Sequence, residues 1–239
     1  MSRDQAERKT LGVIGGVGPL STAYFMEVLI NMTDASTDQQ HIDMIVLNHT
    51  EIPDRTAYIL DHSQPNPAVM MTEDCRKLEQ WGADVLVTVC NTAHYFYDEL
   101  QGSVKIPFIN MIEETALELK RMGAKRVGIM ATTGTVKTRL FQNALTGQGI
   151  EPIIPSEENQ QFVMDMIYDN IKANLPLDLE KFKSVVGELR LHGCDRVILG
   201  CTELSVLKKE YALNDYYVDS LEVLAARAIE ACGKKVKRC

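Results

Sequence analysis

Two cysteines of this chain occupy matching frames. Residues 81–92 read WGADVLVTVCNT and residues 192–203 read HGCDRVILGCTE. At an offset of 111, Gly82 falls on Gly193, Asp84 on Asp195 and Cys90 on Cys201. In each frame an apolar run ends at the cysteine and polar residues follow: Asn91, Thr92, Ala93 and His94 after the first, Thr202 and Glu203 after the second. Asn91 and Thr202 are residue types that cap helix N-termini. A thiol beside a helix N-terminus is drawn toward thiolate by the amide dipoles, while burial opposes this. The same amides can seat a carboxylate. Either cysteine alone is accounted for as core filling. The matched pair, each member followed by polar residues, instead predicts one small molecule with a sulfur on either side.

The remaining chemistry-bearing residues point to little else. Cys90 and His94, at i and i+4, could be metal ligands or a nucleophile and its base. No CxxC or HExxH accompanies them, so no metal is expected and His94 is read as satisfying a hydrogen bond near the site. Cys75, Cys194, Cys232 and Cys239 lack the strand-end setting and are read as structural. The loop from Gly12 to Pro19, GVIGGVGP, has neither the third glycine of a dinucleotide fingerprint nor a Walker lysine. It predicts a tight turn before a helix capped by Ser21 or Thr22, lining a small-molecule site.

These residues need strands and helices to position them. A second repeat precedes the first: KTLGVIGGVGP at 9–19 matches KRVGIMATTGT at 125–135, with Gly12 over Gly128 and Gly18 over Gly134. Short apolar runs at 11–14, 44–48, 85–89, 108–111, 127–130 and 197–199 read as buried parallel strands. Between them, 21–32, 67–82, 113–123, 137–147, 159–173 and 178–192 read as helices, with Gly82, Gly123 and Gly193 at their C-terminal caps. Strand alternating with helix implies an α/β fold. The repeat implies two pseudo-symmetric doubly wound domains with mostly parallel sheets and the active site in the cleft between them. The expected division is 1–107 plus 214–239 for the first domain and 108–213 for the second, with a final helix at 221–231 returning to the first. The stretch 53–67 reads as a loop that could cover the site.

The 239 residues are 45% hydrophobic and 24% charged, enough for a sizeable core. A net charge of −8 weighs against nucleic acid or an anionic membrane as partner. No stretch approaches the roughly 18 apolar residues of a membrane span. The polar start MSRDQAERKT is not read as a secretory leader, and the cysteines are too sparse for a disulfide scaffold. A cytoplasmic protein with reduced thiols is expected.

Together these residues resemble the aspartate/glutamate racemase superfamily, the cofactor-independent two-cysteine racemases. The resemblance covers almost the whole chain and is carried by IGGVGPLST (14–22), NHTEIPDRT (48–56), CNTAH (90–94), ATTGT (131–135) and GCTEL (200–204). The GGxGP loop, the IPDRT segment and Glu203 are more similar to the aspartate than to the glutamate racemases. The resemblance implies that Cys90 and Cys201 carry protons to and from opposite faces of Cα without a cofactor. It implies that Arg55 and Lys172 bind the side-chain carboxylate of an acidic amino acid. Asn91, Thr92, Thr133, Thr202 and Glu203 would complete the substrate site, in a homodimer. Aspartate alone, aspartate with glutamate, a maleate-isomerase-like reaction and a catalytically silent amino-acid-binding protein remain the alternatives at this level.

Overall fold

The structure, a computed structural model, describes residues 8–173 and 175–237. The reading of residues 1–7 as leader-free and of Cys239 as structural falls outside the described residues. The strands are β1 (Thr10–Gly15), β2 (Asp43–Asn48), β3 (Val85–Thr88), β4 (Arg126–Ala131), β5 (Glu151–Ile153), β6 (Arg196–Gly200) and β7 (Tyr217–Asp219). The helices are α1 (Pro19–Met32), α2 (Arg55–Leu60), α3 (Pro67–Gln80), α4 (Tyr97–Gly102), α5 (Met111–Arg121) and α6 (Thr133–Lys137), then α7 (Leu140–Gly147), α8 (Glu157–Asp165), α9 (Leu179–Leu191), α10 (Thr202–Glu210) and α11 (Ser220–Ala231).

They form two sheets, ordered β2-β1-β3 and β5-β4-β6-β7, and the ladders within both are parallel. The order reverses at β1 in one sheet and at β4 in the other, so each sheet places a crevice at its strand C-termini, where α/β ligand sites form. The repeat is visible in packing. A Cβ on Gly12 would lie 2.5 Å from Leu86 Cδ2, and one on Gly128 would lie 2.8 Å from Leu189 Cδ1. Only glycine lets those neighbours approach so closely.

Several expectations shift. The run at 108–111 makes only an isolated parallel bridge, Leu86 with Phe108. Pro107 has no amide to donate, and the Asn110 side chain caps α5 by accepting from the amides of Ile112 and Glu113, so the chain turns helical at once. β5 and β7, each three residues long, were too short to register as periodic runs. β7 lies within the stretch 214–239 given to the first half, yet it pairs with β6 in the second sheet. Helix α11 then returns: Leu221, Leu224, Ala225, Ala228 and Ile229 share a core with Leu11, Val13 and Val87. The helix expected at 137–147 is broken at Arg139, whose φ is 59°. The loop expected at 53–67 contains α2, and the helix expected at 159–173 passes from α8 into a π-helical stretch, Met166–Ile171.

Candidate active site

Cys90 and Cys201 each follow the C-terminal end of a parallel strand, β3 and β6, and both are nearly buried at 8% and 6% exposure. Beyond Cys90 the chain enters a 3-10 turn, Thr92–Phe96, where the Asn91 side chain makes no capping bond. Instead both polar atoms of Asn91, 2% exposed, are buried without a partner. Orphaned amide atoms at that depth mark a place where a polar ligand belongs. Beyond Cys201 a true α-helix begins, and its N-cap is Cys201 itself rather than Thr202. The sulfur therefore sits at the positive end of α10.

His94 supports the first cysteine from behind. The Met111 amide donates to Nε2 at 3.0 Å, so the ring proton is on Nδ1, which donates to the Cys90 carbonyl, also at 3.0 Å. Burial pushes the His94 pKa down to about 4. It is a neutral strut under the Cys90 backbone, as the hydrogen-bonding expectation had it.

The second cysteine has a different companion. Cys201 Sγ donates to Glu203 Oε2 at 2.8 Å, and Glu203 is 5% exposed. Burial, then the Glu203 charge, raise the Cys201 thiol well above its ordinary range, with Lys172 acting against them. Cys201 is therefore held as a thiol with its proton committed. Lys172 Nζ lies 3.9 Å from Glu203 Oε1. Burial pulls the Lys172 ammonium down, but Glu203, Cys201, Tyr168 and Cys90 together hold its pKa above the usual value.

Arg55 opens helix α2, whose N-cap Asp54 accepts from the Ala57 amide at 2.8 Å. Its guanidinium is 8% exposed and donates to the carbonyls of Pro53 (3.0 Å), Val17 (3.2 Å) and Ile52 (3.4 Å), which fixes it across the mouth of the glycine loop. Nε is left without a partner. Burial works against its charge, but Cys90, by charge and by hydrogen bond, with Asp54 and Glu203, raises its pKa further. The guanidinium is thus coupled to the first sulfur.

The glycine loop turns tightly, as expected, but without a side-chain cap. Gly18 is the N-cap of α1, and Thr22 Oγ1 folds back, accepting from the Gly16 amide and donating to the Gly18 carbonyl. Gly16 has φ 81°, and a Cβ there would lie 2.4 Å from the His49 backbone. Gly18 has φ 128°, with Glu203 Oε1 3.0 Å from its would-be Cβ. Both positions require glycine.

A cavity of about 530 Å³ lies between these parts, and Arg55, Lys172 and Glu203 are among its lining residues. Thr50, Ile52 and Ile171 also line it and were not singled out, although Thr50 and Ile52 lie within the motif at 48–56. Of the threonines, Thr92 Oγ1 joins Thr132 (2.8 Å) and Thr135 (3.0 Å) in a buried hydroxyl cluster that ties the halves together. Thr202 Oγ1 donates to the Val89 carbonyl across the same seam. The Thr133 amide donates to Met164 Sδ and its hydroxyl accepts from Gln160. Asp54, in the IPDRT motif, and Tyr168, four residues before Lys172, were also missed.

The chain is similar to known racemases. The chain is 34% identical to the aspartate racemase of Picrophilus torridus, whose structure superposes with a TM-score of 0.81 over 96% of both chains. It is 26% identical to the broad-specificity amino-acid racemase RacX of Bacillus subtilis over 92% of this chain and 96% of that one. It is 32% identical to the glutamate racemase of Aquifex aeolicus over 59% of this chain and 55% of that one. A profile of the Asp/Glu/Hydantoin racemase family matches residues 14–228, and the chain belongs to that family.

Proposed function

We propose that this racemase interconverts L- and D-aspartate without a cofactor, by a two-base mechanism in which Cys90 and Cys201 exchange the roles of thiolate and thiol. The observation that carries the reading is the unequal setting of two strand-end sulfurs whose neighbours Arg55 and Glu203 both line one cavity: Cys201 donates its S–H to Glu203, and Cys90 is coupled to the Arg55 guanidinium. Racemisation needs that inequality. One sulfur must arrive as base and the other as acid, and each turnover reverses them.

The α-proton of an amino acid is a weak acid, so most of the barrier lies in carbanion formation. Asn91, with both amide atoms unpartnered, is positioned to donate to the α-carboxylate and accept from the α-ammonium. The α10 N-terminus favours the charge that develops on the carboxylate. Arg55 and Lys172 receive the side-chain carboxylate, Arg55 with the planar grip a carboxylate prefers. A homodimer, implied by the resemblance, and a cytoplasmic setting, expected from the polar start and sparse cysteines, complete the proposal.

A wider substrate range is the second reading, and the cavity favours it. Its volume of about 530 Å³ falls in the range of drug-sized ligands, ~300–1,000 Å³, and leaves room beyond a four-carbon diacid. Proton NMR of L- and D-aspartate and of both glutamates with the protein in D2O tests both. Deuterium at Cα with loss of optical activity is expected for aspartate. Exchange of glutamate at a similar rate replaces the strict reading with the broad one. No exchange with any of the four sinks the racemase reading in favour of a binding protein.

A further inference from the structure

The two cations assigned to the distal carboxylate come from opposite halves, and one side chain joins their segments. Tyr168, in the π-helical stretch Met166–Ile171, directs its hydroxyl to Asp54 Oδ2 at 3.2 Å, from 114 residues away in sequence. Asp54 is used twice: Oδ1 caps α2, whose first residue is Arg55, and Oδ2 takes the tyrosine. The ring of the same tyrosine lies under Lys172, with Nζ 4.2 Å from its centroid. An ammonium over an aromatic face is attracted by the ring quadrupole.

The backbone explains why these groups meet. The Lys172 amide donates to the Ile167 carbonyl and that of Leu175 to the Asn170 carbonyl, both five residues back, so the last turn is wide. Such wide turns inside helices recur at functional sites. The seam beside it is close-packed: a Cβ on Gly134 would come within 3.0 Å of Thr56 Oγ1. Burial raises the Tyr168 phenol pKa, so the hydroxyl remains a donor at neutral pH.

We propose that Tyr168 is a positioning residue that latches the second half to Asp54 through its hydroxyl and seats Lys172 on its ring, so that Lys172 and Arg55 face one distal carboxylate together. The cavity's occupant is taken from the racemase reading, whereas the latch itself is a property of the free protein. Loss of the hydroxyl releases α2 and the wide turn from each other. Loss of the ring also frees Lys172 to lean on Glu203, which lies 3.9 Å away.

The test compares wild type, Tyr168→Phe and Tyr168→Leu in two measurements. The first is amide hydrogen exchange of the free protein over residues 55–60 and 166–171. Tyr168→Phe is expected to speed exchange in both segments together, by about tenfold, the worth of one charge-assisted hydrogen bond. The second is steady-state racemisation of aspartate. KM is expected to rise about fivefold to tenfold in Tyr168→Phe with kcat within about twofold, and to rise further in Tyr168→Leu, which also loses the seat for the ammonium. Unchanged exchange in the two segments overturns the latch. So does a lowered Tm with an unchanged KM, which is the signature of a merely structural tyrosine. If the wild type does not racemise, the exchange measurement still decides the latch, and only the reading of the substrate falls.

Discussion

In the first half Asp84 Oδ2 accepts from the Thr10 amide at 2.7 Å; in the second, Asp195 Oδ2 accepts from the Lys125 amide at 2.7 Å. Gly82 and Gly193 end their helices at φ 94° and 75°, and the next residues, Ala83 and Cys194, donate back to Leu78 and Leu189. On the far side of each sheet from the cleft the halves follow one plan. At the cleft they part. Cys90 leads into a 3-10 turn held by His94 and faces Arg55, whereas Cys201 caps an α-helix and donates its S–H to Glu203. The duplicated frame delivers two sulfurs to one place. The residues that break the symmetry give the two sulfurs different neighbours.

That comparison can be attacked at its strongest point first. Cys90→Ala and Cys201→Ala should each abolish racemisation, a loss of at least the 10²–10⁴-fold that general acid–base groups usually contribute, about, and more because no second base remains. Chiral chromatography after overnight incubation measures it. Full turnover in either variant would show that the two sulfurs are not partners.

Arg55 belongs to the first half only, and its loss should be felt next. Arg55→Ala should weaken aspartate binding by about 1.5–3 kcal/mol, the scale of a charged hydrogen bond. Titration calorimetry gives the affinity. An unchanged affinity removes Arg55 from the substrate site and leaves it as a clamp on Val17, Ile52 and Pro53.

The halves also differ in the titratable groups they bury besides the sulfurs. His94 titrates near 6.5 in the unfolded chain and, because of burial, at about 4 when folded. The unfolded chain binds the extra proton between these values, so this contribution to stability grows as pH rises from 4 to 6.5. Asp219 does the reverse. Burial, then Glu222, raise its pKa from 3.8 to about 7, so its contribution is full below the unfolded value and is lost as pH rises toward 7. The two slopes oppose each other in the wild type. Asp219→Asn, which keeps acceptors for Ser205 and the Leu221 amide, should leave the His94 slope exposed. Urea unfolding should then report stability rising by about 2–3 kcal/mol between pH 4 and 6.5. A variant as flat as the wild type would show that the two groups do not oppose one another.

Much of this architecture was written in local pattern. The longer strands, the glycine caps and the matched cysteines all leave signals within a dozen residues, because side-chain periodicity and positive φ are local matters. Short β5 and β7 left none, and the run at 108–111 promised a strand that Pro107 and the Asn110 cap cut off. Asn91 illustrates the limit at the site. Its type suggested a cap, but a turn too tight for that bond left both amide atoms free in the interior.

The sequence by itself determined that there are two sulfurs, that each ends a buried strand, and that the fold is a duplicated α/β frame. It did so because repeats and periodicities are properties of neighbouring residues. Only the tertiary structure decided that Cys201 holds its proton. That depends on burial and on Glu203 approaching in space, in surroundings dry enough for one charge to govern the next. It alone also joined Tyr168 to Asp54 across 114 residues, a contact that no local rule encodes.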